Sequence, residues 1–269
     1  MPPDSETRRP FSIGDFARSK ADRRKLTMLT AYDYTSARWL DAAGVDCLLV
    51  GDSLGTAVQG RSTTLSVTLA QMVYHAEMVA RGATRAFVVA DLPFLSYQVS
   101  PSRAIQAAGT MLKRTECGAV KLEGGRSIAA TLRSIVEAGI PVMGHVGLMP
   151  QSVRRLGGYK IQRDEAKIVA DAHAIAEAGA FAVVLECVPT PIADRITAEL
   201  SIPTFGIGAG PGCDGQVLVT PDLLGLTIDF RPRFARRYAE LGSQTEAAVR
   251  SYIEDVRSGR FPTEAESFA

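Results

Sequence analysis

The sequence predicts an α/β protein in which eight strands alternate with helices, a (β/α)8 barrel. Eight short apolar runs recur along the 269 residues, with the composition of parallel strands that are buried on both faces. The stretches between these runs are amphipathic with the helical period. An open, doubly wound sheet has the same local pattern, so it remains the structural alternative. The count of eight favours the barrel.

The eight apolar runs are the predicted strands. In chain order they are Leu26–Ala31, Cys47–Val50, Ala86–Ala90, Ala119–Leu122, Pro141–Gly144, Ala182–Leu185, Pro203–Ile207 and Gln216–Val219.

Between the strands, apolar residues recur at helical spacing. Ser100 and Pro101 are typical of an N-cap and a first helical residue. Buried helix faces are indicated by Leu69, Met72, Val73, Ala76 and Val79, by Ile128, Leu132, Ile135 and Val136, and by Ile168, Ala172, Ile175 and Ala176. Glycine suits the left-handed position that ends a helix, which is the role expected of Gly44, Gly82, Gly118, Gly139 and Gly179.

The termini add two helices to this plan. Residues 1–10 are predicted to be disordered, and residues 11–269 to form a single domain. The segment Ser12–Asp15 has the pattern of a capped short helix that could cover the barrel floor. Residues Thr245–Arg257 carry Val249, Tyr252, Ile253 and Val256 at helical spacing, which predicts a closing helix at the C-terminus.

Composition excludes several classes of protein. Thirty basic and twenty-nine acidic residues leave a net charge of +1 and no basic block, so we expect no nucleic-acid partner. No apolar run approaches the roughly eighteen residues of a membrane span, and the N-terminus lacks the apolar region of a secretory signal. The four cysteines form no CxxC pair, so reduced thiols in a cytoplasmic protein are expected.

Polar residues stand at the carboxyl ends of six consecutive predicted strands, which is the active face of a barrel. They are Asp33, Asp52 with Ser53, Asp91, Lys121 with Glu123, His145 and Glu186. Because side chains two apart on a strand share a face, Lys121 and Glu123 are predicted to point to the same side. Converging carboxylates need a cation, and oxygen ligands without a Cys or His cluster favour Mg²⁺ over zinc. An ion-pair network with helix-capping aspartates is the alternative interpretation.

Other candidates carry less weight. His75, at the edge of an apolar helix face, is expected to be a packed histidine rather than a ligand, and His173 is expected to face solvent. Cys187 is expected to lie in the core rather than act as a nucleophile. The segment Gly206–Gly212 does not fit the GxGxxG template, because Pro211 occupies the place of the third glycine. We interpret it as a tight loop at which the backbone passes close to a ligand.

An ordered series of segments resembles the ketopantoate hydroxymethyltransferase family. The segments are TAYD at Thr30–Asp33, VGDSLG at Val50–Gly55, VT at Val67–Thr68 with YH at Tyr74–His75, ADLPF at Ala90–Phe94 with SY at Ser96–Tyr97, VKLEGG at Val120–Gly125, GHVGL at Gly144–Leu148 with PQ at Pro150–Gln151, LECVP at Leu185–Pro189, GIGAG at Gly206–Gly210 and CDGQ at Cys213–Gln216. No single segment is decisive, but the ordered set is highly specific and runs from about residue 26 to the C-terminal tail.

The resemblance implies a reaction and a site. A hydroxymethyl group passes from methylene-tetrahydrofolate to 3-methyl-2-oxobutanoate and gives 2-dehydropantoate, in a Mg²⁺-dependent homo-oligomer that is typically a decamer. Carried over residue by residue, Asp52, Asp91 and Glu123 match the metal site. Substrate contacts are implied for Asp52, Ser53, Asp91 and Lys121, and Glu186 matches the proposed base, with His145 as a residue that could line the site.

Two alternatives stay open at this point. A Mg²⁺-dependent 2-oxo-acid lyase or mutase, of the isocitrate lyase or phosphoenolpyruvate mutase type, would also place a metal ion under a 2-oxo acid. A catalytically silent barrel that serves only in binding or assembly is the second alternative.

Overall fold

The eight strands form one parallel sheet that closes on itself, because β8 pairs with β1 as well as with β7. The computed structural model describes residues 9–228 and 232–268. The strands are β1 (Leu26–Thr30), β2 (Cys47–Val50), β3 (Phe87–Asp91), β4 (Ala119–Glu123), β5 (Val142–Gly147), β6 (Ala182–Glu186), β7 (Thr204–Ile207) and β8 (Gly215–Leu218). The predicted barrel and its eight strands are confirmed.

Helices alternate with the strands along the chain. They are α1 (Ile13–Ala21), α2 (Tyr34–Ala43), α3 (Leu54–Ala57), α4 (Leu69–Gly82), α5 (Pro101–Thr115), α6 (Ala129–Glu137), α7 (Val153–Leu156), α8 (Glu165–Glu177), α9 (Thr190–Glu199), α10 (Thr220–Leu223) and α11 (Leu241–Arg257). The predicted start of α5 is confirmed, since Ser100 accepts a hydrogen bond from the Arg103 amide and Pro101 is the first helical residue.

Only three of the five predicted helix-ending glycines are left-handed, namely Gly44, Gly139 and Gly179. The prediction of a left-handed glycine is wrong for Gly82, although α4 does end there and Gly82 lies against α2. A Cβ there would meet the Tyr34 carbonyl oxygen at 2.7 Å. It is also wrong for Gly118, because α5 already ends at left-handed Glu116. A Cβ at Gly118 would lie 2.5 Å from the Phe87 ring, so close packing is the reason for this glycine.

Alternate residues of β2 to β6 enter two separate apolar clusters. One cluster joins the outward residues of the strands, such as Leu48, Val50 and Val183, to the buried faces of the surrounding helices. The other lies inside the barrel and draws on all eight strands: Leu26, Met28, Cys47, Leu49, Val89, Ala119, Met143, Ala182, Val184, Phe205, Ile207 and Val217. The barrel interior is therefore a packed core and not a pore.

Helix α1 closes the floor of the barrel, at the amino ends of the strands. The predicted capped start is confirmed, and the structure shows it as a capping box of Ser12 and Asp15. Phe16 is only 1% exposed and belongs to the interior cluster. Its ring packs edge-on against Phe87, Phe181 and Phe205, with centroid distances of 5.3, 4.8 and 6.1 Å. The predicted cover of the barrel floor is confirmed.

The described residues fall into two compact units, one ending at Val219 and the other beginning at Thr220. In the second unit, the helix predicted over Thr245–Arg257 is confirmed as α11, and none of its residues is buried. Residues 1–8 of the segment predicted to be disordered lie outside the described residues. Among the described helices, none is both long and apolar enough to cross a membrane.

Candidate active site

The interior positions of the barrel change character along each strand. The inward series reads Phe87, Val89 and Asp91 on β3, Ala119, Lys121 and Glu123 on β4, Met143 and His145 on β5, and Ala182, Val184 and Glu186 on β6. Each series begins with apolar residues and ends with ionisable ones. Every second residue of a strand faces the barrel interior. The ionisable residues at these positions therefore lie at the mouth, at the carboxyl ends of the strands, and the apolar ones lie towards the floor.

Six ionisable side chains gather at this mouth and form what we call the polar cup: Asp52, Asp91, Lys121, Glu123, His145 and Glu186. The strand register sets Asp91 beside Lys121 and Glu123 beside His145. All except Glu186 are buried, and the Glu186 side chain is 20% exposed. The predicted convergence of these residues agrees with the structure, as does the common orientation of Lys121 and Glu123.

Lys121 compensates part of the negative charge in the polar cup. Its ammonium lies 2.8 Å from Asp91 Oδ1, and the other Asp91 oxygen accepts a hydrogen bond from the Asp52 amide at 3.0 Å. Burial opposes the charge on Lys121, but Asp91, Glu123 and Asp52 outweigh it and raise the pKa of the ammonium. Lys121 is therefore a fixed cation at the centre of the site.

His145 connects Lys121 to the Glu186 side of the polar cup. Its Nε2 lies 2.8 Å from the Leu148 carbonyl oxygen, which can only accept, so Nε2 carries the proton. Nδ1 is then an acceptor for the Lys121 ammonium at 3.3 Å. Burial, and next the charge of Lys121, lower the pKa of His145 well below its usual value. The ring is a neutral imidazole with an assigned tautomer, 3.4 Å from Glu186 Oε2.

Burial raises the pKa of three carboxyl groups of the polar cup, those of Asp52, Glu123 and Glu186. Burial, and next the charge of Asp91, raise the pKa of Asp52 to about 7. Burial and Asp52 raise the pKa of Glu123 well above its usual value. For Glu186, burial outweighs the attraction of Lys121 and raises the pKa to about 8. A carboxylate with such a pKa can accept a proton near neutral pH.

Two predicted candidates lie outside the polar cup. Ser53 stands beside it at the start of α3, where its Oγ lies 2.9 Å from the Tyr32 hydroxyl oxygen. Asp33 is exposed and caps α2 by accepting a hydrogen bond from the Ser36 amide at 2.8 Å. The expectation that Asp33 joins the others was wrong, because it follows β1 by three residues and the chain has already turned into a helix.

Three minor candidates take structural positions. His75 Nδ1 lies 2.6 Å from the Tyr32 carbonyl oxygen, and His173 is partly exposed and pairs with Glu199 at 2.8 Å. Cys187 does not lie in the core as predicted, because β6 ends at Glu186 and the backbone turns left-handed at Cys187, with φ 50°. Burial and Glu186 raise the pKa of its thiol to about 11, which disfavours a nucleophilic thiolate.

The predicted tight loop after β7 is present, with left-handed Gly208 and Gly210. A Cβ at Gly210 would lie 2.5 Å from Thr190 Oγ1, and one at Gly212 would lie 1.9 Å from Asp194 Oδ1. These glycines let the loop pack closely against α9. The close approach in the structure is to this helix.

Two buried residues at the mouth, Gln151 and Tyr97, belong to the segments that carry the family resemblance, but no role in the site was predicted for them. Gln151 contacts both Asp52 and Glu123, and Tyr97 contacts Gln151. Both lie in segments between strands and helices, so neither the strand nor the helical spacing of apolar residues indicates which way their side chains point. Their residue types were visible, but only the folded chain brings them to the polar cup.

A metal ion has to be tested against the donors that are present. Among the described residues, no set of three or more His, Cys, Asp or Glu side chains is placed to hold a metal ion by itself. Mg²⁺ needs less than such a set, because proteins usually bind it through one or two carboxylates and leave the other positions to water and substrate. The neighbouring Asp52 and Asp91, with oxygen donors only and excess negative charge, fit that requirement.

The closed barrel and the polar cup define the class of protein, an enzyme of the (β/α)8 type with its site at the carboxyl ends of the strands. A family model described as ketopantoate hydroxymethyltransferase matches residues 10–264. The chain belongs to this family, and the resemblance predicted from the sequence is confirmed.

Relatives named 3-methyl-2-oxobutanoate hydroxymethyltransferase match nearly the whole chain. The protein of Chlorobaculum tepidum is 56% identical over 252 residues, which cover 91% of both chains. The protein of Moorella thermoacetica is 56% identical over 248 residues, covering 91% of this chain and 92% of the relative. The protein of Pelobacter propionicus is 51% identical over 267 residues, covering 98% and 99%.

Solved structures with little sequence identity share the fold. A phosphonopyruvate hydrolase solved with oxalate and Mg²⁺ has a TM-score of 0.63 at 11% identity, covering 96% of this chain and 91% of the other. A 2,3-dimethylmalate lyase has a TM-score of 0.60 at 18% identity, covering 95% and 91%. At these identities the likeness establishes the barrel and not the reaction.

Proposed function

We propose that this enzyme transfers a hydroxymethyl group from methylene-tetrahydrofolate to 3-methyl-2-oxobutanoate, giving 2-dehydropantoate. The observation that supports the proposal most directly is that the candidate base and the candidate metal and substrate ligands occupy different sides of one barrel mouth. Asp52, Asp91 and Lys121 lie together, while Glu186 stands apart beside His145. Family membership over residues 10–264 supports the same substrates.

Deprotonation is the first chemical step. The 2-oxo acid must lose the proton at C3, next to its ketone, and Glu186 is the base. A carboxylate with a pKa near 8 is matched to this task at neutral pH. The neutral His145 ring, 3.4 Å away, adds no positive charge that would lower the basicity of Glu186.

Stabilisation of the developing negative charge falls to the other side of the polar cup. Lys121 holds a fixed positive charge there, and Ser53 offers a hydroxyl to the substrate at the rim. Asp52 and Asp91 are the proposed Mg²⁺ ligands, with Glu123 as a further carboxylate of the metal site. Mg²⁺ would supply Lewis-acid polarisation of the substrate oxygens when bound.

Carbon–carbon bond formation completes the transfer. The C3 carbanion attacks the methylene carbon of the folate donor, a C–C bond forms and the carbon–nitrogen bonds to folate break. Water supplies the hydroxyl oxygen, and the products are 2-dehydropantoate and tetrahydrofolate. The protein has to hold the carbanion and the donor close together in the mouth of the barrel during this step.

Assembly and compartment belong to the same proposal. Trp39 on α2 and Tyr74 on α4 are 71% and 63% exposed, which supports a homo-oligomer, and we propose a decamer. Free Cys47, Cys117, Cys187 and Cys213 support a reducing compartment, the cytoplasm. Light scattering of the purified protein, giving its mass in solution, tests the decamer.

One assay tests the reaction. Mass spectrometry of a mixture of 3-methyl-2-oxobutanoate, Mg²⁺ and methylene-tetrahydrofolate is expected to detect 2-dehydropantoate. With folate omitted, exchange of the C3 proton with deuterium is expected to continue. Turnover of oxaloacetate, isocitrate or phosphonopyruvate instead would favour a lyase or mutase. Metal binding without any exchange or turnover would indicate a silent barrel.

A further inference from the structure

Gln151 lies four residues after the end of β5, in a short 3-10 turn (Pro150–Ser152), and is buried, with 5% of its surface exposed. Its side-chain nitrogen donates to Asp52 Oδ2 at 2.9 Å and to the Leu92 carbonyl oxygen at 3.0 Å. Its backbone amide donates to Glu123 Oε2 at 3.0 Å. One residue therefore contacts the carboxylates that follow β2 and end β4, and the backbone that follows β3.

The orientation of the Gln151 amide is determined by its neighbours. The Leu92 carbonyl oxygen can only accept, so the group that faces it must be the NH₂. On the other side, Gln151 Oε1 lies 2.8 Å from the Tyr97 hydroxyl and 3.0 Å from Gln98 Nε2. A flipped amide would oppose two oxygens on one side and leave the Gln98 donor unmatched. Both donors and the acceptor of the amide are thus in use.

Tyr97 ties this arrangement to the strand that carries Glu123. The Tyr97 side chain is 1% exposed, and its hydroxyl oxygen accepts from the Glu123 amide at 3.1 Å. The same hydroxyl lies 2.9 Å from the Glu123 carbonyl oxygen. The Gln151 carbonyl group and the Glu123 backbone are therefore held by one phenol.

A neutral donor suits this position. Carboxylates gathered in a buried cup repel each other, and a second Lys or Arg would cancel the negative charge that a divalent cation needs. The Gln151 amides supply hydrogen bonds without adding net charge. Asp52 and Glu123 keep both their placement and their attraction for a cation.

We propose that Gln151 is a positioning residue that holds the Asp52 and Glu123 carboxylates in place for a divalent cation. The role rests on the metal site of the proposed function. Gln151 would act through its hydrogen bonds to the metal-site carboxylates and not by contact with the metal. Residues that hydrogen-bond to metal ligands commonly orient those ligands in this way.

The test is the affinity of the full-length protein for Mn²⁺ without substrate, measured from the electron paramagnetic resonance signal of the free ion. Gln151→Met keeps the length of the side chain and removes its polar atoms. We expect it to weaken Mn²⁺ binding by about 10–100-fold. Tyr97→Phe is expected to weaken it by less than about tenfold, because Gln98 still contacts Gln151 Oε1.

Ser152→Ala is the matched control, because its hydroxyl makes no hydrogen bond within the described part of the chain. Its Mn²⁺ affinity is expected to equal that of the parent. Circular dichroism verifies that each variant is folded. Should Gln151→Met not fold, Gln151→Asn decides instead, since it keeps the amide but cannot reach Asp52.

The two proposals fail in different ways. A parent protein that binds no Mn²⁺ would overturn the metal site and with it the role of Gln151. A parent that binds Mn²⁺, with a folded Gln151 variant that binds it equally tightly, would overturn the positioning role alone. A loss of affinity in Ser152→Ala as large as in Gln151→Met would also overturn it, because the effect would then be general to the loop.

Discussion

The two ends of the barrel are built on the same strands by opposite means. At the floor, Phe16 packs among apolar rings and small inward side chains. At the mouth, the next inward positions of β3 to β6 are ionisable, and charge compensation replaces packing. Buried apolar area at the floor stabilises the folded state. Burial of the charged groups at the mouth costs stability, but these are the groups that can react with a substrate. Changes at the two ends should therefore alter different measured quantities.

The largest expected effect is on chemistry at the mouth. Glu186→Gln removes the base and keeps the shape of the side chain. The rate of C3 proton exchange should fall by about 10²–10⁴-fold. The unfolding free energy should not fall, because a carboxyl group whose pKa is raised by burial gains nothing from ionisation. Deuterium exchange followed by mass spectrometry measures the rate, and Glu199→Gln on the outer surface of α9 is the control. Unimpaired exchange in Glu186→Gln would remove it from the base role.

The next effect is on stability at the floor. Phe16→Ala removes a buried ring and leaves a cavity, so the unfolding free energy should drop by about 3–5 kcal/mol. Urea denaturation measures it, and Phe16→Leu is a milder control that keeps part of the volume. The proton exchange rate of the folded fraction should stay close to that of the parent. If Phe16→Ala lost proton exchange but kept the unfolding free energy of the parent, the expectation that the floor governs stability and the mouth governs chemistry would be wrong.

A smaller loss is expected from one added methyl group near the floor. In Gly118→Ala the new Cβ would lie 2.5 Å from the Phe87 ring, which Phe16 and Phe181 hold from other sides. Overpacking of this kind costs about 1–3 kcal/mol. Gly109→Ala on α5 is the matched control, because a Cβ there meets no atom within 4 Å. Equal unfolding free energies for the two variants would show that the Phe87 ring moves freely.

The smallest effect is a change with pH at the mouth. Since Glu186 must be ionised to accept a proton and its pKa is about 8, the exchange rate should rise about tenfold per pH unit below pH 8 and then level off. The same raised pKa stabilises the folded state below pH 4.5, and this contribution is lost as the pH rises through 8. Glu186→Gln should thus gain stability relative to the parent at pH 9. A rate that is flat from pH 6 to 9 would contradict the raised pKa.

Much of the site follows from strand periodicity. Lys121 and Glu123 are two residues apart on one strand, so their common orientation could be predicted without any contact map. Asp91, His145 and Glu186 end apolar runs in the same way. Asp33 carries the same local signal and was misplaced, because β1 ends three residues earlier and the aspartate caps α2 instead. The local pattern does not tell the last residue of a strand from the first turn of a helix.

The glycines show the same limit. Left-handed Gly139 and Gly179 end helices as predicted, whereas Gly82 and Gly118 are small because another element packs against them. A helix end is a local conformation and can be read from neighbouring residues. Close packing between elements depends on residues far along the chain.

What the sequence determined by itself is the order of strands and helices, the family, and the chemical character of each strand end, since these depend on period, caps and residue type. Only the tertiary structure decided that Gln151 reaches Asp52, 99 residues away, and that Tyr97 supports it. The physical reason is closure of the barrel. It brings loops from different strands to one mouth, and no local preference of the chain encodes which of their side chains meet there.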